Sequence, residues 1–220
     1  MKSEEIPLIR SKNLENPRRP SPGNVYTDKF PVYDIATVHK WDITHYCLKI
    51  FGEVEEERAF SLEELKQLPK VRLVADFHCV TGWSRKEQEW GGFLSRVLWE
   101  KIRPKNTARF LLVHCLEGYS TNLSLEDFLS EDVLFAYEWN GKELPLEHGY
   151  PLRLIVPHLY AWKSAKYVCG LEFLSEEIPG YWEERGYHMR GDPWKEERTW
   201  KEGMSPSLIR WLTRKRRGNR

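Results

Sequence analysis

The chain has 220 residues, 40% of them apolar, with 10 Trp, 10 Tyr and 9 Phe, so it is long enough to bury a substantial core. Its 34 Lys and Arg nearly balance its 33 Asp and Glu, which argues against a nucleic-acid-binding protein with a net basic surface. No run of about 18 apolar residues is present, so the sequence predicts no membrane span. The first residues are acidic and lack an apolar stretch, which predicts no secretory signal and a cytoplasmic location.

The four cysteines do not form a Cys-x-x-Cys pair. A reducing compartment makes structural disulfides unexpected, and an inert buried thiol is the usual role of a cysteine in an apolar strand. All four lie in such runs: Cys47, Cys79, Cys115 and Cys169.

The amino-terminal third combines an extended arm with β-like segments. Residues 1–24 are rich in proline and charge and show no periodicity, which predicts an arm. Apolar runs then predict extended structure at Phe30–Tyr33 and a strand over Tyr46–Val54. Ser61 and the glutamate three residues after it form a capping box, which predicts a short helix that Pro69 ends.

The middle of the chain is predicted to alternate strands with short helices. A β-prone run, Val71–Phe77, leads into Cys79 and a glycine turn. The glycine pair at 91–92 is predicted to open an amphipathic helix over Phe93–Ile102, stopped by proline. A second apolar strand, Ala108–Cys115, again ends in His-Cys, and Ser124 is predicted to cap another short helix.

Strand-like runs resume at Val133–Trp139, Arg153–Val156 and Tyr167–Leu174, with a hairpin signal at Asn140-Gly141. Strands and helices mix without a regular βαβ alternation, which predicts an α+β fold with a mixed sheet. We therefore expect an arm at 1–24, one domain at 25–174, and an aromatic and charged tail at 175–220 that packs on the domain. Ser205-Pro206 is predicted to start a final helix within that tail, before a basic end at 214–217.

Cys79 is the most informative residue, because a strand end followed by a glycine turn presents its thiol from a rigid element. The thiol is then a nucleophile, a soft metal ligand or an inert buried group. The repeated His-Cys dipeptides suggest zinc, but adjacent strand residues point to opposite faces, so a regular strand offers only one of them to a shared site. A cysteine nucleophile needs a base, which His114 could supply from a neighbouring strand.

A second group of residues has the chemistry of a phosphate site. Arg153 lies in a strand-like run, and Lys163-Ser164-Ala165-Lys166 follows a break at a proline. Guanidinium and ammonium groups both bind phosphate, and a serine hydroxyl with nearby backbone amides adds donors. A few basic residues usually form only a solvated surface. These residues therefore indicate a functional site only if they belong to the same site as Cys79.

The segment Phe77-His78-Cys79-Val80-Thr81-Gly82-Trp83-Ser84, followed by Trp90-Gly91-Gly92, resembles the molybdenum-binding segment of the sulfite oxidase superfamily. It is most similar to the small sulfite oxidase-like oxidoreductases and to the catalytic subunit of protein-methionine-sulfoxide reductase. Phe135–Pro145 and His148–Pro157 are similar to the segment before the pterin-phosphate loop of that superfamily, and the loop falls at 163–166. The resemblance covers most of residues 20–200.

The resemblance implies a molybdopterin-binding fold of the sulfite oxidase type and an oxidoreductase that transfers oxygen atoms at a cysteine-ligated oxo-molybdenum centre. Molybdenum and tungsten are both compatible with these ligands. Cys79 would bind the metal as a thiolate, which is a soft ligand. The remaining residues that the resemblance assigns to the cofactor are Asn24, His114, His148, Arg153, Ser164, Ala165 and Lys166. Further candidates for the pocket wall are Trp83, Tyr119, Thr121 and Tyr160.

The sequence departs from the sulfite oxidases at one informative place. Those enzymes carry basic residues just after the metal-binding cysteine, whereas here Val80–Ser84 contains none. Sulfite is therefore not expected as the substrate. We expect a small-molecule or methionine-sulfoxide-like substrate and an external electron-transfer partner. Two alternatives remain, a cofactor-free binding domain of the same fold and a hydrolase that uses Cys79 with His114.

Overall fold

The computed structural model describes residues 5–36 and 43–200. Within these ranges the chain forms strands and three short helices, joined by several single turns of 3-10 helix. The predicted helix after Ser205 and the basic end lie outside the described residues. No helix in the described part is both long and apolar enough to cross a membrane. The strands are β1 (Leu8–Arg10), β2 (Val25–Tyr26), β3 (Cys47–Gly52), β4 (Arg58–Ser61), β5 (Val71–His78), β6 (Trp83–Leu94), β7 (Phe110–Cys115), β8 (Ser120–Ser124), β9 (Leu134–Trp139), β10 (Lys142–Glu143), β11 (Arg153–Ile155) and β12 (Val168–Leu174); the helices are α1 (Leu62–Lys66), α2 (Ser95–Trp99) and α3 (Leu125–Phe128).

Two mixed sheets organise the molecule. The first runs β1-β5-β6-β9-β10, with β2 paired to β6 and β11 paired to β9. The second runs β4-β3-β12-β7-β8. The β1–β5, β2–β6 and β3–β12 pairs are parallel and the other pairs are antiparallel. The predicted α+β class with mixed sheets is therefore confirmed.

Apolar side chains of both sheets meet in one large core. Ile50 and Leu171 of the second sheet join Phe93 and Phe135 of the first in the same cluster, and all four are fully buried. A second cluster, which includes Leu73, covers the other face of the first sheet. Seven of the eight β5 residues are buried, and the strand contributes Val71, Leu73, Ala75 and Phe77 to this second cluster.

Both predicted serine caps are present. The Ser61 hydroxyl accepts from the backbone amide of Glu64, and the Glu64 carboxylate accepts from the backbone amide of Ser61. The two bonds complete the capping box of α1. Ser124 caps α3 through the backbone of Asp127. Asn140 and Gly141 both have positive φ and form the predicted hairpin turn between β9 and β10.

The predicted helix from Phe93 to Ile102 is largely wrong. Residues 83–94 form the long β6 strand, and only α2 is helical. Gly92 lies where a Cβ would meet the Phe135 carbonyl oxygen at 1.9 Å, so the glycine allows close pairing with β9. Phe30–Tyr33, which is predicted to be extended, is not part of a strand and runs along a cavity.

Candidate active site

A cavity of about 270 Å³ lies beside the hairpin of β5 and β6. Its wall includes Cys79 from the hairpin turn, Arg153 from β11, and the loop residues Ser164, Ala165 and Lys166. The structure thus brings together two groups that lie more than seventy residues apart in the sequence. The other lining residues are Phe30, Pro31, Val32, Tyr33, Asp34, Ile35, Phe77, Val80, Thr81, Trp83, Glu117, Tyr119, Glu147, His148, Ala161, Trp162, Trp182 and Tyr187.

A tight turn presents the Cys79 thiol to this cavity. The Gly82 amide donates to the Cys79 carbonyl, and the Cys79 amide donates to the carbonyl of Trp83, which closes the hairpin. Gly82 adopts φ +95, a conformation that favours glycine in such turns. The turn is therefore fixed by backbone bonds, and the cysteine side chain is free to face the cavity.

The surroundings of Cys79 do not activate it as a nucleophile. Burial raises the pKa of its thiol, and the hydrogen bond with Thr81 and the charge of Arg198 oppose that shift only in part. The Sγ atom lies 3.2 Å from the Thr81 Oγ1. A thiol with a raised pKa is a poor nucleophile but becomes a thiolate when a metal binds it.

The structure corrects the expected position of His114. We expected β7 to lie next to β5, but the two strands belong to different sheets. His114 Nε2 lies 2.8 Å from the Glu172 carboxylate, its ring stacks on Phe51, and it is not part of the cavity wall. The hydrolase interpretation thereby loses the base that it required.

Arg153 is a buried cation whose guanidinium is only partly hydrogen-bonded. It is 4% exposed, and its Nη1 donates to the carbonyl of His148 over 2.9 Å. Its Nε is buried without a hydrogen-bond partner in the described residues. The centre of the guanidinium lies 4.9 Å from the Phe77 ring and 5.3 Å from the Trp90 ring. Burial lowers the pKa of Arg153 to about 10, so this site favours an anionic group that would complete its pairing.

A glycine brings the two cations of the cavity close together. Gly149 has φ +116, and a Cβ there would lie 3.1 Å from the Lys166 side chain and 3.2 Å from that of Arg153. The neighbouring His148 packs between Phe30 and Trp139, and burial lowers the pKa of its imidazole. A neutral imidazole beside two cations can exchange hydrogen bonds with a heterocyclic ligand.

The two lysines of the 163–166 loop lie in different surroundings. Lys166 lines the cavity, and its ammonium pairs with Asp34. Lys163 does not reach the cavity, because its ammonium is fully buried against Glu183. Our expectation that Lys163 belongs to the phosphate-binding residues is therefore wrong. Ser164 accepts from the backbone of Val156, which fixes its hydroxyl at the cavity wall.

Asn24 lies behind the cavity wall. Its amide donates to the carbonyls of Cys79 and Trp83 over 3.0 and 2.9 Å, so it holds the turn that carries Cys79 from outside. Of the further wall candidates, Trp83 and Tyr119 line the cavity. Thr121 instead donates to Glu183, and Tyr160 stacks on Trp162 behind the wall.

The sequence did not single out several lining groups. Asp34 and Glu117 are carboxylates in the wall, and burial raises the pKa of Glu117 to about 7. Trp162, Trp182 and Tyr187 form an aromatic side, and Trp182 stacks on Tyr187 at 5.0 Å. The high aromatic content of residues 175–203 was the available signal, but it does not reveal which rings face inward.

Comparison with known proteins gives a consistent family. The model of the oxidoreductase molybdopterin binding domain matches residues 35–182. The chain is 42% identical over 193 residues to an uncharacterized oxidoreductase, YuiH, of Bacillus subtilis, covering 87% of this chain and 98% of that protein. It is 25% identical over 210 residues to the protein-methionine-sulfoxide reductase catalytic subunit MsrP of Campylobacter jejuni, covering 86% of this chain and 70% of that one.

A solved structure shares the fold. The sulfane dehydrogenase SoxCD of Paracoccus pantotrophus superposes with a TM-score of 0.59 at 23% identity. The match covers 64% of this chain and 41% of that chain. The likeness concerns the fold, and the chain corresponds to less than half of that larger protein.

Proposed function

The chain belongs to the family of oxidoreductase molybdopterin-binding domains, and from this premise we infer that Cys79 is the protein ligand to molybdenum. The observation that carries the proposal is the shared cavity. Cys79 and the cationic group of Arg153 and Lys166 line the same 270 Å³ space, as two ends of one cofactor require. The thiolate would bind the metal at one end, and the cations would bind the phosphate at the other.

The residues of the wall fit the rest of the cofactor. Arg153, with a buried and unpaired Nε, and the neutral imidazole of His148 would contact the pterin. Ser164, Ala165 and Lys166 would hold the phosphate, which would take the place of Asp34 at the Lys166 ammonium. Asn24 would act from behind, by fixing the turn that carries Cys79.

When bound, a molybdenum–pterin group supplies oxygen-atom transfer coupled to two-electron redox chemistry. The chain itself would orient the metal through Cys79 and keep water away from it. Thr81 would hydrogen-bond the sulfur, and the ring of Trp83 would close one side. The Trp182–Tyr187 stack would close another. These groups bind and shield, while the electrons would come from or go to an external protein partner.

For the substrate we propose a neutral sulfoxide of the methionine sulfoxide type. The cavity wall next to Cys79 is formed by Val80, Thr81 and Trp83, none of which is charged. The lining cations Arg153 and Lys166 are assigned to the cofactor. Among the described residues the wall has no further cation, which favours a neutral thioether or sulfoxide over an anion such as sulfite. The cytoplasmic location stays a prediction.

The first experiment measures the cofactor. The protein is purified from a host that makes molybdopterin, and molybdenum, tungsten and pterin are quantified in the wild type, Cys79→Ser and Cys47→Ser. We expect stoichiometric metal and pterin in the wild type and in Cys47→Ser, because Cys47 does not line the cavity. Cys79→Ser should lose redox activity even where pterin remains. A wild-type protein without metal and pterin would refute the proposal.

The second experiment tests the substrate. Loaded enzyme is assayed with a methyl sulfoxide and a chemical electron donor, and separately with sulfite and a chemical electron acceptor. We expect kcat/KM for the sulfoxide to exceed that for sulfite. Introducing a cation by Val80→Arg should weaken sulfoxide reduction and improve the use of sulfite. Higher wild-type efficiency with sulfite would contradict the proposed substrate while leaving the cofactor assignment intact.

A further inference from the structure

Arg198, near the carboxyl end of the described chain, reaches back to the turn that carries Cys79. Its guanidinium donates to the carbonyl oxygen of Val80, the residue that directly follows the cysteine. It also donates over 2.9 Å to the carbonyl of Pro22 and to the Asn24 Oδ1. One side chain thus joins the amino-terminal arm, the hairpin turn and the carboxyl-terminal segment.

The contact with Asn24 closes a ring of hydrogen bonds around the cysteine. Asn24 accepts from Arg198 through its oxygen and donates through its nitrogen to the Cys79 carbonyl, 3.0 Å away. Two consecutive carbonyls of the turn are therefore held. Arg198 binds that of Val80 directly, and it supports that of Cys79 through Asn24. Both holding residues lie outside residues 35–182, the part that matches the family model.

The backbone fixes Arg198 in this position. Its amide donates to the Glu196 carbonyl over 2.8 Å, and its carbonyl accepts from the His188 amide over 3.1 Å. A bridge between Tyr187 and Thr199 aligns the same segment, and Tyr187 itself lines the cavity. The segment that supplies the aromatic side of the cavity therefore also supplies the arginine.

The hydrogen-bond partners of Arg198 carry no charge, and an acidic group near its guanidinium is Glu196: a Cβ on Gly23 would lie 2.7 Å from the Arg198 Nη2 and 3.2 Å from the Glu196 Oε1. All three acceptors are neutral oxygens, and the centre of the guanidinium lies 5.1 Å from the Tyr160 ring, which is fully buried. A positive charge in a partly desolvated place acts over several ångströms with less screening than in water. Such a charge stabilises the more electron-rich state of a nearby metal and so raises the reduction potential of that metal.

We propose that Arg198 is a positioning residue that holds the Cys79 turn in place and raises the reduction potential of the metal bound there. This inference rests on the proposed function, because it concerns the metal at Cys79. A purely structural role would tie the carboxyl-terminal segment to the domain without affecting the metal. The two roles differ in what they predict for the midpoint potential when the charge at position 198 is removed: the electrostatic role predicts a lower potential in Arg198→Gln, and the purely structural role predicts no change.

The test compares Arg198→Met, Arg198→Gln and Arg198→Lys with the wild type and with Lys195→Gln. Lys195 lies three residues earlier on the same segment, and its side chain is 63% exposed, so its replacement removes one charge without touching the turn. The midpoint potential of molybdenum is measured in loaded protein by a redox titration followed by electron paramagnetic resonance. Hydrogen exchange of the Cys79 and Gly82 amides is measured in the metal-free protein, and a thermal melt checks that each variant folds.

We expect the midpoint potential to fall in the Met and Gln variants, to stay near the wild-type value in the Lys variant, and to be unchanged by Lys195→Gln. Amide exchange at the turn should accelerate in all three Arg198 variants, because lysine cannot reach all three acceptors. An unchanged potential in Arg198→Gln, or an equal shift in Lys195→Gln, would overturn the electrostatic part. Unchanged exchange would overturn the positioning part. If Arg198→Met does not fold, the Gln and Lys variants decide.

The two proposals fail in distinguishable ways. If the wild-type protein takes up no metal, the proposed function is wrong, and the exchange measurement on metal-free protein still tests whether Arg198 holds the turn. If the wild type is loaded and the Arg198 variants match it in both potential and exchange, the proposed function stands and the role of Arg198 is refuted.

Discussion

The ammonium of Lys163 lies 2.5 Å from the Oε1 of Glu183, and neither side chain has any exposed surface. Lys163 also donates to the side chain and carbonyl of Asn122 and to the carbonyl of Met189. The pair therefore fastens the turn before the 164–166 loop to β8 and to the carboxyl-terminal segment. Trp162, which lines the cavity, donates to the same carboxylate oxygen over 2.8 Å.

We expect Lys163→Met to lower the free energy of unfolding by about 3–5 kcal/mol, because it leaves the Glu183 carboxylate buried without its cation. The double variant Lys163→Met, Glu183→Leu should lose less than the sum of the two single variants. Urea unfolding of the metal-free proteins gives these values. Lys12→Met is the control, because Lys12 pairs with Glu131 at an exposed place and its loss should change little. Additive losses in the double variant would show that the pair is not coupled.

Replacing Arg153 should separate stability from cofactor binding. The guanidinium is buried among rings with an unpaired Nε, so Arg153→Met should leave the metal-free protein as stable or more stable by about 1 kcal/mol. The same change should lower the pterin content of purified protein by roughly tenfold or more, since it removes a charged donor. Pterin fluorescence and thermal melts give the two results, with Arg58→Met at an exposed pair as control. Normal pterin content in Arg153→Met would contradict the assigned contact.

The pairing of Lys166 with Asp34 predicts competition with phosphate. Asp34→Asn removes the carboxylate that occupies the ammonium and should strengthen retention of the pterin by about threefold to tenfold. Lys166→Met should weaken retention. The measurement is the pterin that remains after gel filtration at increasing phosphate concentration, with the exposed Asp28→Asn as control. Weaker retention in Asp34→Asn would mean that Asp34 helps to build the phosphate site.

Glu117 should make the stability of the metal-free protein depend on pH. Burial raises the pKa of its carboxyl to about 7, so the folded state favours the protonated form. The stability that this preference contributes is fully present below the unfolded pKa, about 4.5, and is lost as the pH rises through about 7. Between pH 5 and pH 8, Glu117→Gln should therefore gain on the order of 1 kcal/mol relative to the wild type. Urea unfolding at both pH values checks this, and the exposed Glu126→Gln should show no such difference.

Local sequence patterns determined those elements whose cause is local. The capping box at Ser61, the Asn140-Gly141 turn and the apolar β5 strand were all predictable, because caps, turns and buried strands depend on a few adjacent residues. The β6 strand was not. Its glycine pair resembles a helix start until β9 is known to lie against it, and only tertiary pairing settles that competition.

The resemblance carried by Cys79 and its neighbours identified the superfamily and the cofactor class correctly, as the match to the oxidoreductase molybdopterin binding domain and the shared fold confirm. The roles of the individual site residues stay predictions. The residue types at 153 and 163–166 suggested an anion site, because guanidinium, ammonium and hydroxyl groups bind phosphate in any fold.

Only the tertiary structure decided which of these side chains share a cavity. His114 lies in a different sheet from the strands on either side of Cys79, Lys163 pairs with the buried Glu183, and Arg198 lies behind the Cys79 turn. The physical reason is that burial and charge pairing depend on contacts between distant segments, whereas sequence patterns report mainly on neighbours along the chain. The sequence therefore identified the family and predicted a role for the cysteine, and only the fold showed which groups surround it.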